Sequence, residues 1–156
     1  MLKLLKYTTL LLILSLLLNA CSSQPLSRED EIALTIDTAI EAAEDRSTSD
    51  MAELVDERYL DPKGLNKSQL TKLVRLYFFR HKSIYLFSKL GEIEFPAKNE
   101  AFVTLHVAMA GSVISDITAL SSLRASMHRF DLELIKHDQW LLRSATWHPA
   151  SIADLQ

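Results

Sequence analysis

Residues 101 to 110 read AFVTLHVAMA, and the fold follows from this stretch. Successive side chains of a β-strand point to opposite faces of the sheet, so the stretch divides into two sets of five. One set is Ala101, Val103, Leu105, Val107 and Met109, and the other is Phe102, Thr104, His106, Ala108 and Ala110. Because both sets are fairly apolar, the pattern predicts a strand in the middle of an antiparallel sheet.

Three further segments show the period of two and are rich in β-branched and aromatic residues. They are residues 84–95, 126–136 and 140–148. They are predicted to be long antiparallel strands. Gly91 and Gly111 are candidate positions for β-bulges or kinks, which would let a long sheet curl. The segment 112–124 could be a short strand or a helical excursion, and the sequence leaves both open.

Charges indicate the register of the hairpin that the last two strands form. A three-residue connection at 137–139 would place Glu133 opposite Arg143 and Leu134 opposite Leu142. This register pairs opposite charges, which a two-residue connection would not do. We therefore predict the three-residue connection.

Helical patterns come before the strands. Residues 28–45 carry apolar side chains at helical spacing, and Ser27 precedes them as a predicted N-cap. Residues 51–55 are predicted to form a short second helix. A third helix is predicted to start at Asn66 and to end at the basic cluster 80–82, since cations favour a helix C-terminus.

Helices followed by long antiparallel strands indicate an α+β domain. The chain resembles the nuclear transport factor 2-like superfamily, the cystatin-like cone that ketosteroid isomerase shares. The segments that carry the resemblance are Tyr59-Leu60-Asp61 before Gly64, Tyr77 to His81, Ala101 to Gly111, and Phe130 to Leu134 leading to Trp140, Ala145 and Trp147. The resemblance covers roughly residues 28 to 150 and implies helices packed in the concave face of a curved sheet. It also implies a cone that is a catalytic pocket, a receptor for a small apolar ligand, or a module that dimerises through its sheet.

The start of the chain has the pattern of a secretory signal. Lys3 and Lys6 precede an aliphatic run from Leu10 to Leu18, which is shorter than a membrane-spanning helix requires. The run ends in Leu-Asn-Ala and then Cys21, which resembles the lipobox of bacterial lipoproteins. We therefore expect residues 1–20 to be a lipoprotein signal peptide.

Cys21 is the only cysteine, so it cannot form an internal disulfide, and lipidation would give it a use. The resemblance implies a diacylglyceryl group on its sulfur, further acylation such as palmitate, and a lipid anchor in the membrane. Ser22 is not the Asp that retains such proteins in the inner membrane, so we expect the periplasmic side of the outer membrane. Residues 21–27 would be a short tether and 28–156 the folded domain. The alternative is a soluble secreted protein with a free thiol.

Composition disfavours a nucleic-acid partner. Removal of the signal peptide would leave 15 Lys and Arg against 20 Asp and Glu. The sequence has no Gly-rich phosphate loop and no nucleophile elbow. No histidine spacing of the HxH or HExxH kind is present, so we predict neither a metal nor a cofactor.

Candidate site residues lie on the third helix and the strands. If the cone is a pocket, His106 is the candidate general base, with Tyr77 or Tyr85 as its partner. The residues that could line a ligand pocket are Tyr77, Tyr85, Phe102, His106 and Phe130. The acids Asp131 and Glu133 share a face with Arg129, which favours a salt-bridged surface row over a catalytic pair.

Three hypotheses of function remain. The first is a non-enzymatic lipoprotein that binds an apolar small molecule or an envelope protein, because apolar pockets need few polar groups. The second is an isomerase or dehydratase that uses a histidine base in the cone. The third is an accessory subunit of an envelope assembly. The superfamily resemblance also implies a homodimer.

Overall fold

A computed structural model of the chain describes residues 25–111 and 126–151. Its helices are α1 (Arg28–Glu44), α2 (Thr48–Glu53) and α3 (Lys67–Arg80). Its strands are β1 (Tyr85–Ala97), β2 (Glu100–Ala110), β3 (Ser126–Lys136) and β4 (Trp140–Pro149). The predicted α+β class is confirmed, and the ends of the elements differ from those predicted by at most three residues. Residues 112–124, whose structure the sequence left open, lie outside the described residues.

Polar caps set where the helices begin. The amide of Asp30 donates to Ser27 Oγ at 3.1 Å at the start of α1. At the start of α3, Asn66 and Gln69 form a reciprocal capping box, with N···O distances of 3.0 and 2.9 Å. Each cap satisfies amide groups that have no partner within the first turn of a helix.

The four strands form one antiparallel sheet in the order β1-β2-β3-β4. The stretch 101–110 therefore lies in an inner strand, as predicted. Each strand follows its neighbour in sequence, so short connections suffice for β1-β2 and β3-β4.

A β-bulge changes the predicted register of the last hairpin. Leu134 lies opposite Leu142, as the three-residue connection predicts, but Glu133 lies opposite Ser144. Arg143 is the extra residue, so the predicted pairing of Glu133 with Arg143 is wrong. The guanidinium of Arg143 instead binds the buried carboxylate of Asp56. The bulge leaves Arg143 outside the ladder with its side chain on Asp56, and bulges commonly re-aim a side chain in this way.

Gly91 lies in a second register shift, between Leu90 and Ile93 of β1. A Cβ at this position would lie 3.1 Å from the backbone oxygen of Thr104 on β2. A side chain would therefore crowd the backbone of β2, and the register shift confirms the predicted role of Gly91 as a bulge position.

The core lies between α1 and one face of the curved sheet, which we call the inner face. Ile32 and Ile36 of α1 contact alternate residues of β2 from Ala101 to Val107. Leu132 and Leu134 of β3 and Trp140 and Ala145 of β4 complete this buried cluster. The other set of β2 side chains, which includes Phe102 and His106, lies on the opposite, outer face.

A polar contact fixes α1 to the last hairpin. The indole Nε1 of the buried Trp140 donates to Glu31 Oε2 at 3.0 Å. Lys136 Nζ binds the same oxygen at 2.5 Å. Hydrogen bonds from Lys136 and Trp140 lower the pKa of Glu31 below its usual value. The contact satisfies a donor that the core would otherwise leave without a partner.

None of the helices within the described ranges is both long and apolar enough to cross a membrane.

Replacement of Ile32 by Ala should lower the free energy of unfolding by about 2–5 kcal/mol, because it leaves a cavity in the core. Ile32 is 0% exposed. Leu34→Ala, on the same helix but at a side chain that is 58% exposed, is the matched control and should change it by less than about 0.5 kcal/mol. Urea denaturation followed by circular dichroism measures both. Equal losses for the two variants would contradict the packing of α1 on the inner face.

Candidate functional site

The inner face changes character along its length. Near the β3-β4 hairpin it is filled and buried, as described above. Towards the other end of the same face lie Met109, His128, Phe130 and Trp147, and all four are only partly buried. Their placement follows from the register, because His128 lies opposite Val107 and Phe130 opposite Leu105.

Tyr77 of α3 joins these four residues, because its hydroxyl contacts Met109 Sδ at 3.7 Å. We call the five residues Tyr77, Met109, His128, Phe130 and Trp147 the inner-face cluster. The ring of Phe130 lies 6.2 Å from that of His128 and 6.5 Å from that of Trp147, measured between centroids. These separations are typical of aromatic packing. Burial raises the pKa of Tyr77, so its hydroxyl keeps its proton.

The inner-face cluster can therefore offer an apolar, aromatic surface with few polar atoms. Among those polar atoms is His128 Nδ1, which is buried and has no hydrogen-bond partner among the described residues. Pockets that bind small apolar molecules have this composition.

Two more buried polar atoms come from the loop between α2 and α3. Tyr59 and Asp61 are 2% and 4% exposed, and Tyr59 Oη and Asp61 Oδ2 have no partner among the described residues. Burial, and secondly the charge of Asp61, raise the pKa of Tyr59 to about 12. Because buried polar groups almost always have partners, this pair is a candidate for binding a water molecule or a ligand.

The loop holds Asp61 firmly through its other oxygen. Asp61 Oδ1 accepts from the amides of Lys63 and Leu65 at 2.9 and 2.8 Å. Gly64 in the same turn has φ +82°, a conformation that glycine adopts without strain. Sequence reasoning used Tyr59-Leu60-Asp61 only as part of a resemblance and missed it as a site. A sequence signal for this site exists. Asp61 follows Tyr59 by two residues and lies in a turn that Pro62 and Gly64 mark.

The predicted catalytic residues do not come together. His106 and Tyr85 lie on the outer face, whereas Tyr77 lies at the inner-face cluster. Tyr85 pairs with Ala110, four residues along β2 from His106, which places the two about 13 Å apart along the strand. His106 Nδ1 is buried without a partner among the described residues.

Of the five predicted ligand-binding residues, Tyr77 and Phe130 belong to the inner-face cluster. Phe102 lies on the outer face with Tyr85 and His106. The sequence could not separate these sets, because both faces of β2 are similarly apolar.

Part of the predicted row of charged residues is present on the outer face, where Arg129 and Asp131 form an ion pair. Arg129 Nη2 lies 2.8 Å from Asp131 Oδ1, and Thr104 Oγ1 donates to the same oxygen at 3.3 Å. Arg129 is half exposed, so this pair adds roughly 1 kcal/mol at most. Within residues 25–111 and 126–151, no three His, Cys, Asp or Glu side chains are grouped as a metal site would require.

The buried carboxylate of Asp56 ties the loop that carries Tyr59 and Asp61 to β4. It accepts from His137 Nε2 at 2.8 Å, from the amide of Arg58 at 2.8 Å and from Arg143 Nη1 at 3.0 Å. Burial raises its pKa, but the hydrogen bonds from His137, the Arg58 amide and Arg143 outweigh this effect. The net result is a pKa of about 2, against an ordinary 3.8. Its role is therefore that of a fixed negative charge and not of a proton donor at neutral pH.

No protein-family model and no curated protein sequence matches the chain. Solved structures do match. A protein provisionally described as a scytalone dehydratase, from Novosphingobium aromaticivorans, has a TM-score of 0.65 at 14% identity, over 79% of this chain and 84% of that one. A domain of unknown function with a cystatin-like fold, from Nostoc punctiforme, has a TM-score of 0.59 at 14% identity, over 81% and 80%. A nuclear transport factor 2-like protein from Cytophaga hutchinsonii has a TM-score of 0.57 at 11% identity, over 80% and 100%.

At these identities the similarity shows the fold alone. The chain has the nuclear transport factor 2-like, cystatin-like fold, as the sequence resemblance implied. This fold hosts both ligand-binding proteins and enzymes, so the choice between them depends on the residues of the site.

The ion network at Asp56 predicts a specific loss of stability in acid. Because the pKa of Asp56 in the folded chain is about 2, its ionised form stabilises the fold above about pH 4. That contribution, roughly 2–3 kcal/mol, should be lost as the pH falls from about 4 to about 2. Asp56→Asn should abolish this part of the pH dependence of unfolding, measured by urea titration at each pH. Asp37→Asn, at an exposed acid of α1, should leave it unchanged, and a slope that Asp56→Asn does not alter would contradict the network.

Proposed function

We propose that this protein is a lipid-anchored periplasmic binding protein that holds an apolar small molecule at its inner-face cluster. One observation carries the proposal. The inner face is mainly apolar and its centre is buried against α1, yet its aromatic residues Phe130 and Trp147 remain partly exposed. Apolar area that the fold itself leaves partly exposed favours a ligand, because covering it releases free energy.

The sequence supports the compartment. A basic start, a short aliphatic run and a lone Cys21 in a lipobox-like context favour a signal peptide over residues 1–20 and lipidation at Cys21. Two or more acyl chains anchor a protein stably, whereas one does so only marginally. Ser22 favours the outer membrane, with the domain from residue 28 onward on its periplasmic side.

The arrangement of titratable groups favours binding over catalysis. The predicted base His106 is on the opposite face from Tyr77, and Asp56 is held as a structural anion. An isomerase or dehydratase remains the second candidate, with His128 in place of His106. Its support is that His128 Nδ1 and Tyr59 Oη are both buried and unpartnered among the described residues. An envelope protein that inserts an apolar side chain is the macromolecular alternative to a small ligand.

Lipidation of Cys21 should be visible in the mass of the mature chain. Protein purified from its native membrane should begin at Cys21 and carry a diacylglyceryl group and further acyl chains, measured by mass spectrometry. Cys21→Ser should prevent both the lipid and the cleavage before residue 21. Ser22→Ala, next to it, should keep both. A mature product with a bare thiol at Cys21 would contradict the anchor.

If the inner-face cluster binds a ligand, replacement of Phe130 should weaken the affinity for an apolar probe, whereas replacement of Phe102 should not. An aromatic probe that carries a heavy atom, such as bromobenzene, should quench Trp147 when it occupies the inner-face cluster. Phe130→Ala should weaken binding about tenfold, since an aromatic contact contributes about 0.5–1.5 kcal/mol beyond area burial. Phe102→Ala, at an exposed phenylalanine on the outer face, should leave the affinity unchanged.

Equal weakening by the two variants, or no saturable quenching in the parent protein, would overturn the assignment of the site. Chemical conversion of a bound molecule that is lost in His128→Gln but kept in His148→Gln would favour the enzyme over the binding protein. His148 is exposed and lies opposite Arg129 on the outer face, which makes it a suitable control.

A further inference from the structure

The chain separates its charges along the sequence. Between Asp61 and Glu92 lie seven Lys and Arg residues and no acid, which leaves ten basic and 20 acidic residues in the rest of the chain. Helix α3 occupies the middle of this basic segment and has no acidic residue. In an acidic protein, a helix whose charged residues are all basic gives a localised surface for an anionic partner.

Most of these cations have no counter-charge within the chain. Among residues 25–111 and 126–151, Lys67 is the only residue of this segment that forms an ion pair, with Glu57 at 2.7 Å. Lys63 lies over the ring of Trp147. Lys72, Arg75, Arg80 and Lys82 are exposed and have no ion pair in the same part of the chain. Their charge is therefore available to a partner.

Exposed apolar side chains lie among these cations. Phe79 is 86% exposed, and Leu73 and Leu76 are each nearly half exposed. Residues 72, 75, 76 and 79 share one face of a helix, so Lys72, Arg75, Leu76 and Phe79 lie next to one another. We call Lys72, Leu73, Arg75, Leu76, Phe79 and Arg80 the α3 patch.

The core does not account for the α3 patch. The other side of α3 faces the domain, and Phe78 is the residue of this helix that is buried there. Helix α3 makes its main helix contacts with the short α2. An exposed phenylalanine at the end of a basic helix costs free energy in water and is typical of helices that lie in a membrane interface.

We propose that the α3 patch docks on a bilayer that contains anionic phospholipid. Charge complementarity favours an anionic surface, and the exposed Phe79 favours one with an apolar phase beneath its charges. The nearness of such a surface rests on the anchoring at Cys21 proposed above. Six residues separate Cys21 from α1 and span about 20 Å when extended, so the domain would stay close to the bilayer. Docking through α3 would give the domain one orientation on the membrane.

The test measures the depth of position 79 in full-length protein reconstituted in vesicles. The anchor holds the chain to the vesicle in every case, so partitioning does not report on α3. Phe79→Trp supplies a reporter indole that brominated acyl chains quench on contact, and the parent protein gives the background from Trp140 and Trp147. We expect strong quenching in vesicles that mix phosphatidylcholine with phosphatidylglycerol, weak quenching in phosphatidylcholine alone, and a decrease when salt is added.

Charge variants of the reporter protein identify the patch. Arg75→Gln with Arg80→Gln should shift the docking equilibrium about thirtyfold towards the undocked form, because each basic side chain near an anionic surface contributes about a fivefold factor. Arg46→Gln with Lys98→Gln removes the same charge from exposed positions outside the α3 patch. In this matched control, the indole at position 79 should be quenched as strongly as in the reporter protein without charge changes.

Three results would overturn the proposal: no quenching of the reporter indole in anionic vesicles, equal quenching in the two charge variants, or shielding of the reporter indole without lipid that rises with protein concentration. The last result would assign the α3 patch to a second copy of the chain. The mass of the same purified protein reports the lipid on Cys21 separately. A failure of the anchor is therefore distinguishable from a failure of the α3 patch.

Discussion

Burial of the inner face of β2 against α1 is the contact on which the rest of the structure depends. The helical period places Ile32 and Ile36, and the strand period places Val103 and Leu105. The two sets meet in one core, where the curved sheet packs against the helix. Bulges permit that curvature. The bulge in β1 includes Gly91, where a Cβ would make a tight contact with Thr104, and the bulge between β3 and β4 leaves Arg143 outside the ladder.

One sheet face thus provides both the core and the candidate site. The helix covers the inner face near the hairpin, where Trp140 is buried and its indole nitrogen is satisfied by Glu31. Beyond the reach of the helix, the same apolar alternation continues to Phe130 and Met109 without complete burial. The stability of the domain and the proposed binding of an apolar molecule therefore have the same physical origin.

Charged residues have different roles according to their surroundings. Asp56 is buried and surrounded by donors, so it stays ionised and organises the loop that carries Tyr59 and Asp61. Arg129 and Asp131 pair at the surface, where water weakens the attraction. Apart from Lys67, which pairs with Glu57, the cations of α3 have no ion-pair partner among the described residues, which makes them the charges most available for intermolecular contact.

Sequence patterns alone determined the elements of this protein, since periods of 3.6 and 2, helix caps and turn residues are local properties of the chain. They located the three helices and four strands closely, and they named Tyr77 and Phe130, which both belong to the inner-face cluster. They did not assign His106 and Phe102 to the outer face, because β2 is apolar on both faces and alternation cannot say which face meets α1. They also did not reveal the role of Asp56 or the bulge at Arg143. Those features depend on ion pairs between residues more than 80 positions apart, and only the tertiary structure brings such residues within hydrogen-bonding distance.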